Sequence, residues 1–194
     1  MEIYMKKRSQ EGFITVEACV SVLAFLLLML LLSGLFLMFM AQNVTGHTLL
    51  QTSQSLSFDS YTTDNMKLDE PGVGSVAIVL KNFVTGLFGN SDNNPYFVTD
   101  TKWYTAENTD IGSVVKKRFI GYLSGGEDGN EEKADEYLKN MNVANGIEGL
   151  DFSGSYVKDD TLYIVLRYEL EYYFKIGTLG NVSVEQTACS KLWK

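Results

Sequence analysis

Histidine, cysteine and proline are scarce in this sequence, which has one His, two Cys and two Pro among its 194 residues. With His47 as the only histidine, the chain lacks the usual side-chain sets for a metal centre or for a nucleophile activated by a base. Two prolines and 17 glycines exclude collagen-like and proline-rich low-complexity classes. The composition therefore predicts one ordinary domain with an appendage, no enzymatic activity, and no cofactor or metal.

Charge of either sign is absent from residues 18–41, which form an apolar run of 24 residues. As a helix this run spans about 36 Å, compared with about 30 Å for the hydrocarbon core of a bilayer. A secretory signal has an apolar core of only about 7 to 15 residues and a small residue before its cleavage site, where this sequence has Phe39. The run therefore predicts a transmembrane helix that is retained.

The basic residues around this run predict its orientation. Lys6, Lys7 and Arg8 precede it, and the next basic residue is Lys67. Because cytoplasmic flanks carry the excess of Lys and Arg, residues 1–12 are expected in the cytoplasm and the C-terminal part outside.

Acidic residues dominate the remainder of the chain. Residues 1–42 carry three basic and three acidic side chains, so the net charge of −8 lies entirely after them. The one basic cluster there, residues 116–118, is too small for a nucleic-acid surface, and no nucleic-acid partner is expected. Cys19 and Cys189 lie in regions that a membrane would separate, which predicts no intrachain disulfide.

Glu17 is the one charged residue inside the apolar pattern that begins at Phe13. A carboxylate within a membrane helix costs up to about 3 kcal/mol at the bilayer centre and less toward its edge. Two interpretations remain open: the side chain reaches water at the interface, or it pairs with a positive group on a neighbouring subunit.

The N-terminal pattern consists of basic residues, then Gly12, Phe13, Glu17 and a long apolar helix. This pattern resembles the class III signal of type IV prepilins. The Thr-Val-Glu-Ala string at 15–18 is more specifically similar to the TadE-like pseudopilins of tight-adherence (Flp) pilus systems. The aromatic C-terminal region, with Gly-Ser-Tyr at 154–156 and Trp193, is also similar to that family. The resemblance covers both ends of the chain.

The resemblance implies a minor subunit that a prepilin peptidase cuts between Gly12 and Phe13. Cleavage would free an α-amine on Phe13, and Glu17, four residues later, would be its counter-charge on an adjacent subunit. The implied partners are the membrane, the peptidase, and other pilin and pilus-assembly subunits. The implied location is the cytoplasmic membrane, with incorporation into a pilus used for adhesion at the cell surface.

Beyond the apolar run, the sequence predicts a semi-polar helical stalk at 42–56 with His47 exposed, and a linker at 58–74. Helical periodicity predicts helices at 73–88, 111–123 and 131–143. Alternation predicts a long strand at 161–174, flanked by strands at 150–157 and 182–192 and joined to the first by a turn at 158–160.

These predictions combine into an α+β fold: a transmembrane helix with an extended stalk, then a small head of a few helices packed on a C-terminal antiparallel sheet of about three strands. The expected division is a basic leader at 1–12, the transmembrane helix at 13–41, the stalk and linker at 42–72 and the extracytoplasmic head at 73–194.

Four alternatives remain open from the sequence. The acidic runs at 92–100 and 127–132 hold oxygen ligands suited to calcium, although neither has EF-hand spacing. The strand tyrosines Tyr163, Tyr168, Tyr172 and Tyr173 could form an adhesive face, although alternation turns half of them inward. The chain could also be an uncleaved single-pass surface protein with a ligand-binding or sensing head, or, less favoured, a membrane-anchored hydrolase.

Overall fold

A computed structural model describes residues 2–66, 96–97, 103–104, 110–125, 130–171 and 180–193 of the chain. Within these ranges the chain forms three helices and three strands. The helices are α1 (Glu2–Met66), α2 (Ile111–Leu123) and α3 (Glu131–Asn140), and the strands are β1 (Tyr156–Lys158), β2 (Thr161–Leu170) and β3 (Val182–Lys191). The architecture is α+β, as predicted.

Helix α1 is continuous over 65 residues. At about 1.5 Å per residue it is roughly 97 Å long, far longer than the sheet that it meets. Its large apolar side chains are mostly exposed from Phe13 to Met40, whereas Ala41, Leu49 and Leu56 are fully buried. We call residues 13–40 of α1 the apolar span, and the remaining helices, the sheet and residues 41–61 of α1 the head.

The predicted stalk and the start of the predicted linker are corrected by this helix. Residues 42–56 do not extend away from the head; they cross the inner face of the sheet, and the helix continues through Met66. The buried positions of this part are mostly small and hydroxylated: Thr45, Thr48, Thr52, Ser53, Ser55, Ser57 and Ser60. Such residues look semi-polar in sequence, but their hydroxyls can bond to carbonyls of the helix itself, as Thr45 does to Ala41 and Ser60 to Ser57.

The sheet is antiparallel in the order β1-β2-β3. Strand β2 alternates as predicted: its inward side chains are buried, namely Leu162, Ile164, Leu166, Tyr168 and Leu170, and Tyr163 points outward. The turn at Asp159 and Asp160 has φ of 49° and 57°, the left-handed conformation that two-residue hairpin turns require. Strand β1 is only three residues long rather than the predicted 150–157.

Helices α2 and α3 begin at side-chain caps. The Asp110 carboxylate accepts a hydrogen bond from Ser113 N at 3.2 Å, and the Asn130 side chain accepts one from Lys133 N at 2.8 Å. Helix α2 has the predicted bounds. Helix α3 ends at Asn140, before the predicted 143, because Asn142 adopts a left-handed φ of 61°.

The core forms where α1 and α2 meet the inner face of the sheet. Leu49 and Leu56 of α1 and Phe119 of α2 belong to the same cluster as the inward residues of β2. The expectation that helices within 73–143 cover the sheet is therefore incomplete, because α1 supplies part of the cover. The predicted helix at 73–88 and residues 172–174 of the predicted strand lie outside the described ranges.

Candidate functional site

The apolar span is the most unusual surface of the described chain. Phe13 is 70% exposed and both Phe36 and Phe39 are 68% exposed, and the large apolar residues between them lie on every side of the helix. A helix that is apolar all round is normally buried in a large core or in a membrane. At about 1.5 Å per residue its 28 residues extend about 42 Å, so α1 is one long apolar helix that could span a membrane.

Polar groups in the apolar span are few, and Ser33 shows how one is satisfied. Its Oγ donates to Met29 O at 2.9 Å, one turn earlier on the same helix. In hydrocarbon every polar group needs an internal partner, and this bond meets that requirement. Cys19 is a free, exposed thiol on the same span, and Cys189 is free and exposed on β3, as the sequence predicted.

The sequence-predicted processing and assembly residues all lie on the first part of α1. Gly12 and Phe13 are consecutive helical residues, and Lys6, Lys7 and Arg8 precede them on the same helix. Glu17 is exposed and lies four residues after Phe13, so both side chains share one face. Among the described side chains, no basic group pairs with Glu17.

A neutral polar network joins α1 to the sheet. Thr45 Oγ1 lies 2.9 Å from Tyr168 Oη and 2.9 Å from Gln186 Oε1, and Gln186 Nε2 donates to Gln42 O at 2.8 Å. Burial raises the pKa of Tyr168, and the Thr45 hydrogen bond only partly opposes this effect. The network therefore stays uncharged at neutral pH and ties α1 to both β2 and β3.

A buried cation ties α1 to α2. Arg118 is 1% exposed, donates from Nη1 to Ser55 Oγ at 2.6 Å and from Nη2 to Phe97 O at 2.9 Å, and forms an ion pair with Asp59. Its guanidinium carbon also lies 5.3 Å from the Phe97 ring centroid. Burial raises the pKa of nearby Tyr122, although Ser55 and Arg118 act in the opposite direction. This cluster is structural in its geometry, since both terminal nitrogens of Arg118 are bonded within it, whereas Arg118 Nε and Tyr122 Oη have no hydrogen-bond partner among the described residues.

Sequence reasoning placed Arg118 only in a basic surface cluster. The structure separates the three residues: Lys117 is exposed, the Lys116 ammonium donates to Leu150 O at 3.4 Å, and Arg118 is buried. The available signal was that Arg118 directly precedes Phe119 and follows Val115 by three positions, which puts it beside the apolar face of α2. Its partners on α1 were missed because Ser55 was predicted to lie in the stalk and Asp59 in the linker.

An acidic cleft of about 430 Å³ lies between α3 and the turn that follows it, lined by Glu131, Glu132, Asp135, Lys139, Asn145, Ile147 and Glu148. Asp135 is already paired, to Lys139 Nζ at 2.6 Å and to Ile147 N at 3.0 Å. No group of three or more His, Cys, Asp or Glu side chains within the described ranges is arranged to hold a metal ion. Of the two acidic runs considered for calcium, the described members Asn130 and Glu132 lie at the start of α3, and the other candidate ligands lie outside the described ranges.

An apolar groove of about 430 Å³ lies at the opposite end of the sheet from the apolar span. Gln54, Ser57, Phe58, Tyr61, Ser190 and Trp193 line it. Trp193 is mostly exposed there, so an aromatic surface is available to a ligand. His47 is exposed on α1, as expected, and does not line this groove.

Comparison with known proteins gives no relative: no family model, curated protein or solved structure matches the chain.

Proposed function

We propose that this chain is a non-enzymatic minor pilin, or pseudopilin, of a Tad (Flp) type pilus assembly system. A prepilin peptidase cuts it between Gly12 and Phe13, and it packs against other subunits through the N-terminal helix. The observation that carries the proposal is the continuity of α1, whose exposed apolar span leads without a break into a helix buried in the head.

That continuity supports a packing role rather than a simple tether. The Thr45 network and the Arg118 cluster fix the head end of α1 to β2, β3 and α2. Subunits that pack side by side through the apolar span would therefore hold their heads in a defined orientation. A flexible anchor would not need these contacts.

The same geometry supports a specific role for Glu17. After cleavage the α-amine of Phe13 is about 6 Å along the helix axis from Glu17 and on the same face. If a second copy of the chain packs beside the first with a displacement of one helical turn, the Phe13 amine of one copy lies level with Glu17 of the other. Pairing in hydrocarbon removes the cost of an isolated carboxylate and sets the register of the two helices.

Processing is tested by intact mass and N-terminal sequencing of membrane-extracted protein from cells with and without prepilin peptidase. The proposal expects a mature chain that begins at Phe13 and appears only with active peptidase. Retention of residues 1–12 in both strains contradicts it.

Assembly is tested separately with Glu17→Ala and a matched control, Glu11→Ala. Both remove one carboxylate from the same helix, but residue 11 belongs to the leader and is absent from the mature chain. Glu17→Ala should abolish recovery in sheared pili while leaving membrane insertion and cleavage intact, and Glu11→Ala should assemble normally. If both variants are cleaved and are recovered in sheared pili to the same extent, Glu17 has no role in assembly.

A second candidate function is an uncleaved single-pass surface protein with a ligand-binding head. The aromatic groove that Phe58, Tyr61 and Trp193 line favours this alternative. Full-length mass in both strains, together with normal surface display of Glu17→Ala, would establish it over the pilin proposal.

A further inference from the structure

The end of the head nearest the apolar span can be located from contacts between α1 and β3. Gln186 Nε2 donates to Gln42 O at 2.8 Å, and Ser190 Oγ donates to Ser53 O at 3.0 Å. Residue numbers increase together on the two elements, so β3 and α1 run in the same direction. The start of β3 at Val182 therefore points back toward the apolar span.

The height of Val182 along α1 follows from the rise of each element. It precedes Gln186 by four residues, or about 13 Å of strand. Moving back about 13 Å along the helix from Gln42 passes about nine residues and reaches the upper part of the apolar span. Val182 pairs with Leu170, so this end of both strands, which we call the base of the head, lies beside that part of α1.

The surface at this level is apolar and open. Val182 is 41% exposed although the residues inward of it on β2 are buried, and Leu35, Phe36, Phe39 and Met40 are all exposed on α1. Met38 and Val184 are half-buried against the core, so the apolar surface runs without interruption from α1 onto β3. The apolar span exceeds the hydrocarbon thickness by about 12 Å, which puts its upper end among the lipid headgroups.

We propose that the base of the head contacts the lipid surface directly, with Val182 at the membrane–water interface, level with about residue 33 of α1. This inference rests on the proposed membrane insertion of the apolar span. The occupant is lipid rather than protein, because the apolar surface is continuous with a helix segment whose own surroundings are lipid before assembly.

The charge at the base indicates what kind of lipid contact to expect. Glu169 and Glu171 are exposed there, and Glu169 accepts a hydrogen bond from Asn181 at 2.8 Å. Carboxylates repel anionic lipid, so the contact depends on apolar burial rather than on charge. It should therefore form on neutral phosphatidylcholine and should not weaken at high salt.

The experiment uses the full chain with Cys19→Ser and Cys189→Ser, reconstituted in phosphatidylcholine vesicles. A nitroxide is attached at Val182→Cys, with Lys158→Cys at the end of β1, at the far end of the sheet, and Leu28→Cys in the apolar span as references. Electron paramagnetic resonance then compares collisions with oxygen, which concentrates in lipid, and with a water-soluble nickel chelate. The ratio of oxygen to nickel collisions at 182 should exceed that at 158 severalfold and remain below that at 28.

The reference positions separate the outcomes. A water-like ratio at 182 with a lipid-like ratio at 28 contradicts lipid contact by the base of the head, while membrane insertion of the apolar span is still supported. A label at 182 protected from both reagents also overturns it, because protection from both means contact with protein. A water-like ratio at 28 contradicts both membrane insertion of the apolar span and this inference.

Discussion

At the scale of single residues, Arg118 has the largest consequence for stability. Replacing it with Met removes the cation that pairs with the Asp59 carboxylate and the donor to Ser55 and Phe97 O. Breaking a buried ion pair on one side costs about 3 to 5 kcal/mol, and we expect about 3 because the Asp59 side chain stays 29% exposed. Chemical denaturation in detergent micelles, followed by tryptophan fluorescence, measures this loss.

The matched control for Arg118→Met is Lys117→Met, which removes the same charge from the neighbouring, exposed position. It should change the free energy of unfolding by no more than about 0.5 kcal/mol. Adding Asp59→Asn to Arg118→Met should recover part of the loss, because a neutral amide then replaces the carboxylate that has lost the Arg118 cation. Equal changes in the free energy of unfolding for Lys117→Met and Arg118→Met would show that the burial of Arg118 does not account for its effect on stability.

Asp135 gives a residue-scale prediction of pH dependence. Lys139, and then the Ile147 backbone N–H, hold the pKa of Asp135 below its usual range, and Asp135 raises the pKa of Lys139. The Asp135 contribution to stability is present above the unfolded carboxyl pKa of about 3.9 and is lost as pH falls through the lower folded value. The Lys139 contribution is present below about pH 10.4 and is lost as pH rises through its higher folded value.

Asp135→Asn should therefore lower stability at neutral pH, and the difference from the native chain should close as the solution is acidified below about pH 4. Denaturation curves at a series of pH values test this. Glu136→Gln, an exposed change on the same helix, should show no such closing difference. A pH-independent effect of Asp135→Asn would mean that packing rather than charge is responsible.

At the scale of elements, replacing either of two helical glycines with alanine should change stability in opposite directions. A Cβ at Gly121 of α2 would lie 2.8 Å from Tyr96 Cβ and 3.0 Å from a ring carbon of Phe97, whereas a Cβ at Gly46 of α1 would meet only Gln186 at 3.6 Å. Alanine in a helix gains about 1 kcal/mol over glycine where space allows. Gly46→Ala should therefore raise the melting temperature and Gly121→Ala should lower it, as measured by circular dichroism. An increase for both would show that α2 can move away from residues 96–97.

The elements also show where sequence reasoning succeeded and where it failed. The bounds of α2 and β3 and the alternation of β2 were predictable because one apolar face and local turn or cap residues define them. The second part of α1 was mistaken for a stalk because its buried face consists mostly of Ser and Thr, and periodicity of hydrophobic residues detects such a face poorly. The Arg118 cluster depends on side-chain hydrogen bonds between α1 and α2. The residues that these bonds join are 59 or more positions apart in the sequence, so no local pattern predicts the cluster.

At the scale of the whole molecule, the chain has one thiol on each side of the junction between the apolar span and the head. Cys19 lies within the apolar span and Cys189 lies on the outer face of β3, opposite Tyr163, and both are exposed on the isolated chain. If the apolar span crosses the membrane with the head outside, lipid covers Cys19 and water reaches Cys189. The two native cysteines then report topology without an added tag.

A membrane-impermeant maleimide applied to protoplasts should therefore label one thiol per chain, and a second should react only after denaturing detergent is added. Cys189→Ser should eliminate the first labelling step and Cys19→Ser the second, which a mass shift per chain measures. Labelling of Cys189 only in lysed protoplasts would reverse the orientation. Reaction of Cys19 in intact protoplasts would show that water, not lipid, surrounds the apolar span, and both the pilin proposal and the surface-anchor alternative would then fail because each requires that helix to lie in the membrane.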